Sequence, residues 1–225
     1  MTIAPRPARA TRSASRRGVS LIELLVVLAI LLLIFAMGGI FIGPPLKRAR
    51  LAAAATEIEV LAKQVPVRSR QERGGQGLFV FLRANPGSRT FDLVADTNPV
   101  PAGDGRLQDP DGGGTTDALL ADIVTLRLPD GVVFHDMGAP YEATWSNWGA
   151  SGTNRALGVD YQGRTVGPAG GQIASPAVIN LTHAEMVAGT LTPFVVHRIT
   201  IGPVWSVRHT RLVQDPVAPT GWREY

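Results

Sequence analysis

The chain has 225 residues, enough for one or two domains, and 45% of them are hydrophobic. This composition excludes a fully disordered chain and allows a packed core. Cysteine is absent, so disulfides, thiol catalysis and cysteine-ligated metals are excluded.

The formal net charge of +4 is concentrated at the N-terminus. Five arginines precede residue 18 and no acidic residue does, and the remainder of the chain has 17 basic and 18 acidic residues. The basic balance therefore indicates an N-terminal leader and does not by itself indicate a nucleic-acid-binding domain.

Residues 24–43 form an uninterrupted run without a charged side chain. As a helix, a run of this length would be about 30 Å long, which matches the hydrocarbon thickness of a bilayer. The five preceding arginines outnumber the basic residues that follow at 47, 48 and 50, so we expect a cytoplasmic N-terminus. The rest of the chain is then expected on the far side of the membrane.

Three interpretations of this N-terminal segment compete. An ordinary signal anchor accounts for the length and the charges but not for Gly18 or Glu23. A cleaved secretory or twin-arginine signal would use the arginine pair before Gly18, with Ala36 and Gly38 as the small residues of a cleavage site. The apolar region of that signal would begin with the charged Glu23. Cleavage after Gly38 would also leave the further apolar residues beyond it without an explanation.

The third interpretation accounts for both residues. Gly18 followed by an apolar helix with glutamate at the fifth position is the cleavage signature of type IV prepilins, and the stretch GVSLIELLVVLAI from Gly18 closely resembles that family. The resemblance implies cleavage between Gly18 and Val19 by a prepilin peptidase, with methylation of the new amine of Val19. It also implies a leader over residues 1–18 and a transmembrane assembly helix over residues 19–43.

Glu23 is expected to need a partner, because a charged side chain at membrane depth costs about 2.5–3.5 kcal/mol on insertion scales. In the pilin family, the glutamate at this position meets the N-terminal amine of a neighbouring subunit during filament assembly. An amine on Val19 would be cationic near neutral pH. The alternative is that Glu23 lies at the cytoplasmic lipid interface, where the cost falls.

The segment Gly43-Pro44-Pro45 is expected to break or kink the helix, because proline lacks an N–H and clashes with the preceding turn. Helical periodicity then resumes and is expected to end at Pro66. The resulting apolar stripe consists of Leu51, Ala54, Ile58, Leu61 and Val65. We expect residues 44–66 to be the periplasmic part of the N-terminal helix, packed on a sheet as in pilins. An independent short helix is the alternative.

Residues 67–225 are expected to form a periplasmic β-rich globular domain that begins with a polar connector over residues 67–77. Strand-like runs alternate there with turn signals such as Pro129-Asp130-Gly131 and Gly202-Pro203. The predicted strands are Leu78–Arg83, Thr90–Ala95, Ala121–Leu128, Gly131–His135, Leu157–Tyr161, Ala177–Leu181, Phe194–Ile201 and Val204–Arg208. Residues 97–116 are rich in Pro, Gly and Asp and predict a loop.

The β-rich region resembles one branch of the pilin superfamily, the GspH/FimT group of minor pseudopilins and minor pilins. The resemblance rests on Leu128–Phe134, on Leu157–Gly163 and on two terminal strands. It implies an α+β fold of the pilin type, in which a long N-terminal transmembrane helix packs on a C-terminal antiparallel domain.

No catalytic or cofactor-binding motif is present, so we expect neither an enzyme nor a cofactor. The four histidines lack a metal-binding spacing and are expected to be structural; they are His135, His183, His197 and His209. Asp104, Asp109 and Asp111 lie beside a glycine run and suggest calcium. The EF-hand frame is absent, however, and a solvated loop without metal is the favoured alternative.

Aromatic and basic residues raise the question of recognition. Trp145 and Trp148 form either an exposed recognition patch or, as is commoner for large aromatics, a cover for the sheet core.

Three arginines near the C-terminus are a candidate DNA-binding patch: Arg198, Arg208 and Arg211. The resemblance suggests this patch, because certain minor pilins of the GspH/FimT group bind DNA during uptake.

A continuous basic stripe does not follow from these arginines, since Arg208 and Arg211 are three residues apart and strand neighbours on one face are two apart. The alternative is a solvated edge whose arginines discourage strand pairing. The near-neutral charge of the chain without its leader favours this alternative, and nucleic acid is not an expected partner.

These features lead to a first hypothesis, a minor pseudopilin of a type II secretion system. It would cross the bacterial inner membrane once, with its N-terminus in the cytoplasm, and join a periplasmic pseudopilus. Its expected partners are other pseudopilins through the N-terminal helix, the prepilin peptidase, and secretion cargo or outer-membrane machinery. The runner-up is a type IV minor pilin for pilus initiation or DNA uptake. A secreted enzyme is a third class, with no catalytic constellation to support it.

Overall fold

The computed structural model describes residues 20–71, 79–96, 106–107, 118–119, 125–137, 141–160, 162–215 and 221–225. The side chains of residues 36–41, 71 and 118–119 fall outside this description. The chain divides into two compact units, residues 1–43 and 44–225. In the part of the chain that is described, no helix is both long enough and apolar enough to span a membrane.

The first helix, α1, runs from Leu21 to Gln71 and contains three prolines. It continues through Pro44 and Pro45, so the predicted break is wrong, while a kink there stays a prediction. It also continues through Pro66, where we expected it to end.

A tertiary contact explains why the helix passes Pro66. Proline has no N–H to donate to the carbonyl of Ala62, four residues earlier. The indole Nε1–H of Trp205 donates to that carbonyl instead, at 2.9 Å. Trp205 lies in a turn between two strands, and its hydrogen bond satisfies the carbonyl that Pro66 leaves without a donor while the helix extends to Gln71.

The described strands form two antiparallel sheets. Sheet A contains β1 (Val80–Asn85), β2 (Thr90–Ala95), β3 (Ala118–Leu119), β4 (Leu126–Arg127), β6 (Gly149–Ser151), β7 (Asn154–Val159) and β8 (Thr165–Val166). Sheet B contains β5 (Val132–Phe134), β9 (Ala177–His183), β10 (Val195–Ile201), β11 (Val207–Gln214) and β12 (Trp222–Glu224). A short helix, α2 (Ala184–Val187), follows β9.

In sheet A the strand order is β3-β2-β1-β7-β6, with β4 paired to β2 and β8 paired to β7. In sheet B the strand order is β12-β11-β10-β9-β5.

The strand predicted at Thr90–Ala95 is confirmed. The strand predicted at Val204–Arg208 is misplaced, because the N–H of Gly202 donates to the carbonyl of Ser206 at 2.9 Å and closes a turn there. Strands β3, β6, β8 and β12 and helix α2 were not predicted.

The core lies between residues 51–65 of α1 and both sheets. All five residues of the predicted apolar stripe are buried, with at most 6% of any of them exposed. They form one cluster with Leu82 of β1, Ile179 of β9 and Ile199 of β10. The α+β class is therefore as predicted, and the arrangement is consistent with a pilin-like plan.

Two residues of the stretch that resembles the GspH/FimT group have clear structural roles. Gly158 pairs with Phe81 across β7 and β1, and a Cβ atom at Gly158 would lie 2.5 Å from the phenyl ring. Asp160 is buried, and its Oδ1 accepts hydrogen bonds from the backbone N–H groups of Gln162 and Arg164 at 2.9 and 2.8 Å. Both residues therefore shape the end of β7.

Candidate functional site

The N-terminal assembly site begins at the first turn of α1. Gly18 and Val19, the predicted cleavage and methylation residues, lie outside the described part of the chain. Ser20 is the N-cap, since its Oγ accepts a hydrogen bond from the N–H of Glu23 at 3.3 Å and its carbonyl accepts from the same group at 3.0 Å.

The capping geometry gives Glu23 a role that our sequence analysis missed. Ser20 followed three residues later by glutamate is the pattern of a capping box, and this spacing could have been read from the sequence. Glu23 lies in the first turn, where the helix dipole favours a negative charge, and it is exposed. Its carboxylate therefore stabilises the helix start and remains accessible to a partner.

An apolar surface follows Glu23 along the helix. Every large apolar side chain from Leu24 to Phe35 is at least 45% exposed. A helix that is apolar on all sides is stable only when lipid or other protein covers it. This stretch is therefore suited to membrane or helix contacts.

The three candidate DNA-binding arginines do not share a surface. Arg198 pairs with Thr210, and Arg208 pairs with Thr200, so both arginines are on one face of sheet B. Arg211 pairs with His197 and is on the opposite face, which packs on α1. The structure thus brings together two of the three residues.

Both arginines of the outer face already have partners. The Nε–H of Arg198 donates to Asn180 Oδ1 at 3.1 Å, and its guanidinium lies 5.4 Å from the centre of the Tyr141 ring. Arg208 forms an ion pair with Glu224 at 2.7 Å. These contacts leave less cationic character for phosphate binding than the sequence suggests.

A chain of polar groups crosses the interface between α1 and sheet B. Lys63 Nζ lies 2.6 Å from Glu59 Oε1, and the other carboxylate oxygen lies 3.1 Å from His209 Nδ1. His209 Nε2 lies 2.8 Å from His197 Nδ1. The two histidines are diagonal neighbours on the helix-facing side of β10 and β11. Sequence analysis missed this link because it joins residues 150 positions apart.

His197 is held neutral in this chain. Its pKa is lowered to about 4, first by burial and then by electrostatic interactions with His209 and Arg211. The pKa of Glu59 is also lowered, first by its hydrogen bond from Lys63. A buried histidine that resists protonation, linked through His209 to Glu59, is a structural element sensitive to acid.

The other two histidines have local roles. His183 caps α2, because its Nδ1 accepts a hydrogen bond from the N–H of Glu185 at 3.3 Å. His135 stacks against Phe194, with ring centres 5.2 Å apart, and burial lowers its pKa. Both are consistent with the expected structural use of histidine.

Trp145 and Trp148 belong to the core. Trp148 is only 6% exposed, and Trp145 packs against the same cluster. The rings of Trp145 and Phe134 lie 4.6 Å apart, and those of the two tryptophans 5.3 Å apart. Of the two alternatives, packing is the one that the structure shows.

The acidic residues considered for calcium, Asp104, Asp109 and Asp111, are outside the described residues. Elsewhere, among the side chains that the structure does describe, no group of three His, Asp or Glu residues is arranged to hold a metal ion.

Comparison with known proteins bears on the N-terminus. No curated protein and no solved structure matches the chain with significant similarity. Residues 13–39 match the family model of the prokaryotic N-terminal methylation motif, and this stretch includes Gly18, Val19 and Glu23. The motif is the signal of type IV pilins and pseudopilins, and it implies processing by prepilin peptidase, membrane anchoring and assembly with other pilin-like subunits.

Proposed function

We propose that the chain is a minor pseudopilin of a type II secretion system, related to the GspH/FimT group. Prepilin peptidase removes residues 1–18 and methylates Val19. The mature protein is anchored in the bacterial inner membrane by its N-terminal helix, with the β-rich domain in the periplasm, and it joins a pseudopilus with other pseudopilins. Its role is structural and recognitional, and it is not an enzyme.

The observation that carries this proposal is the match of residues 13–39 to the methylation motif, with Gly18 and Glu23 at the required spacing. The capped helix start and the exposed apolar side chains from Leu24 to Phe35 support it, because assembly needs a helix with a free apolar surface. The packing of residues 51–65 on both sheets supports a pilin-like domain.

Physical chemistry gives Glu23 a specific task in assembly. Cleavage after Gly18 would place the ammonium group of Val19 beside the positive end of the helix dipole, which is unfavourable. An exposed carboxylate in the first turn of a neighbouring helix can offset this charge through a charge-assisted hydrogen bond. The contact orients one subunit against the next while both charges are withdrawn from lipid.

The second candidate is a type IV minor pilin that helps pilus initiation or DNA uptake. The methylation motif supports it equally, since both classes carry this signal. The separation of Arg211 from Arg198 and Arg208 on opposite faces of sheet B argues against the DNA-uptake form. Proteins cross-linked to the N-terminal helix in cells would separate secretion pseudopilins from pilus subunits.

The first prediction concerns processing. In cells that contain prepilin peptidase, the membrane-extracted protein should begin at a methylated Val19, as measured by intact-mass and N-terminal mass spectrometry. A Gly18→Ala variant should retain its leader, because the peptidase recognises glycine before the cut. A mature chain that begins at Gly39, or an intact leader in the unmodified protein, would contradict the prepilin assignment.

The second prediction concerns Glu23. The variant Glu23→Ala should be processed and inserted normally, because removing a carboxylate makes the helix more apolar. It should be largely lost from complexes with other pilin-like subunits, measured by shearing and pull-down, because the contact with the neighbour's amine is absent.

The matched control is Glu57→Ala, which removes an exposed glutamate farther along the same helix and should assemble normally. Equal recovery of the two variants in the pull-down would refute the role of Glu23.

A further inference from the structure

A cleft of about 230 Å³ opens between α1 and sheet B. Its lining includes Arg48 and Leu51 from the helix, Val195 and His197 from β10, and Arg211 from β11. No acidic side chain is among the residues that line it. The cleft therefore combines two guanidinium groups with an apolar wall.

Both arginines have donors that are not used by the described part of the protein. Arg48 donates through Nη2 to the carbonyl of Thr192, but its buried Nε has no acceptor. Arg211 forms no ion pair with any described carboxylate, whereas Arg208 on the other face of the same strand pairs with Glu224. A buried donor without an acceptor is costly, so an anion in the cleft would be stabilised.

The surroundings add to this preference for an anion. Burial is the main cause of the lowered pKa of the neighbouring His197, and the positive charge of Arg211 contributes to it. Glu59, the closest acid on the polar chain, is already engaged by Lys63 and His209. Its charge is therefore already partly offset by these partners.

We infer that this cleft binds a carboxylate carried on a short aliphatic chain. Guanidinium groups match the planar carboxylate and donate charge-assisted hydrogen bonds to it, while Leu51 and Val195 contact the methylene groups. The volume is below the roughly 300–1,000 Å³ of typical small-molecule pockets, so it suits a group of the size of a glutamate side chain. A free carboxylic acid and an acidic side chain of a neighbouring subunit share this chemistry; the second source rests on the proposed function.

The test uses the full chain in detergent micelles, titrated with the α-amide of N-acetyl-glutamate, whose one carboxylate is on the side chain, while the histidine ring protons are followed by NMR. We expect a saturable shift of the His197 signal, with a dissociation constant on the order of 1 mM, and a rise of its pKa by about one unit. The α-amide of N-acetyl-glutamine, which has the same shape and carries no carboxylate, should give neither effect. An equal response to both compounds, or no saturable response, would overturn the inference.

Variants place the ligand in the cleft. Arg211→Gln and Arg48→Gln should each weaken binding about tenfold, because each removes a charge-assisted hydrogen bond. The matched control Arg208→Gln should bind as the unmodified chain does, since this side chain is on the opposite face of sheet B. Thermal unfolding checks that each variant is folded. Unchanged binding in folded Arg211→Gln and Arg48→Gln would refute the assignment.

A second arm in cells identifies the source of the carboxylate. If Arg211→Gln is lost from complexes with pilin-like subunits while Arg208→Gln is retained, a neighbour supplies the group. If both variants assemble normally and the purified chain binds the α-amide of N-acetyl-glutamate, the ligand is a free carboxylate. Failure of the unmodified chain to be processed or assembled would count against the proposed function alone, because the titration does not depend on it.

Discussion

At the scale of single residues, Trp205 shows how one side chain decides the extent of a helix. Its indole N–H replaces the backbone donor that Pro66 lacks at the carbonyl of Ala62. The rest of the Trp205 ring packs against the core cluster. The residue thus supplies a polar contact and an apolar contact at the same place.

We predict that Trp205→Phe lowers the free energy of unfolding by about 1–2 kcal/mol, because the carbonyl of Ala62 loses its donor while much of the aromatic packing is kept. For a domain of this size, the melting temperature should fall by about 2–4 °C per kcal/mol, measured by near-UV circular dichroism of the full chain in micelles.

The control is a double-mutant cycle with Pro66→Ala, which restores a backbone N–H at position 66. In that background, Trp205→Phe should cost clearly less. Additive effects of the two substitutions would show that the hydrogen bond is not what matters at Trp205.

At the scale of elements, the contact between α1 and sheet B depends on protonation. His197 is surrounded by His209 and Arg211 from β11 and by Arg48 from α1, with Glu59 one step farther along the polar chain. Of these described groups, Glu59 is the one that carries a negative charge, and Lys63 partly offsets it. A proton on His197 would therefore add positive charge to a buried, positive site.

The sign of the resulting pH dependence follows from the lowered pKa of His197. Between its ordinary value of 6.5 and about 4, the unfolded chain binds a proton that the folded chain does not. The stability is therefore fully present above pH 6.5 and falls as the pH drops towards 4, by at most about 3 kcal/mol from this residue.

We predict that urea unfolding of the full chain in micelles shows this loss between pH 6.5 and 4, and that His197→Gln reduces it. His135 should account for part of the remaining slope, because burial lowers its pKa too. A pH dependence that is the same with and without His197 would contradict the assignment.

At the scale of the whole molecule, charge and hydrophobicity are segregated along the chain. The leader carries five arginines and no acid, and the long uncharged apolar run follows it. From Lys47 onwards the sequence has 17 basic and 17 acidic residues, so the part that contains both sheets is formally neutral.

We predict that a fragment from Lys47 to the C-terminus is soluble, β-rich and folded, since it lacks the exposed apolar side chains up to Ile42 and keeps the core cluster. It should bind DNA only weakly and nonspecifically at physiological salt, because phosphate binding requires clustered cations. A fluorescence titration measures this. Submicromolar binding that is lost in both Arg208→Ala and Arg211→Ala would favour the DNA-uptake pilin instead.

The sequence by itself determined the features that depend on local order along the chain. The spacing from Gly18 to Glu23, the run of apolar residues and the stripe from Leu51 to Val65 are read directly, because cleavage motifs and helix periodicity involve neighbouring residues. The α+β class was implied by the resemblance to pilins. The capping role of Ser20 was also readable at this range, although we did not read it.

Only the tertiary structure decided where distant residues meet. Pro66 predicts a helix end until Trp205, 139 positions later, supplies the missing donor. The register of β10 with β11 pairs Arg211 with His197, and packing on α1 brings Arg211 and Arg48 into one cleft. The physical reason is that hydrogen-bond partners, strand register and burial are set by packing across the whole domain, and a list of neighbours along the chain does not contain them.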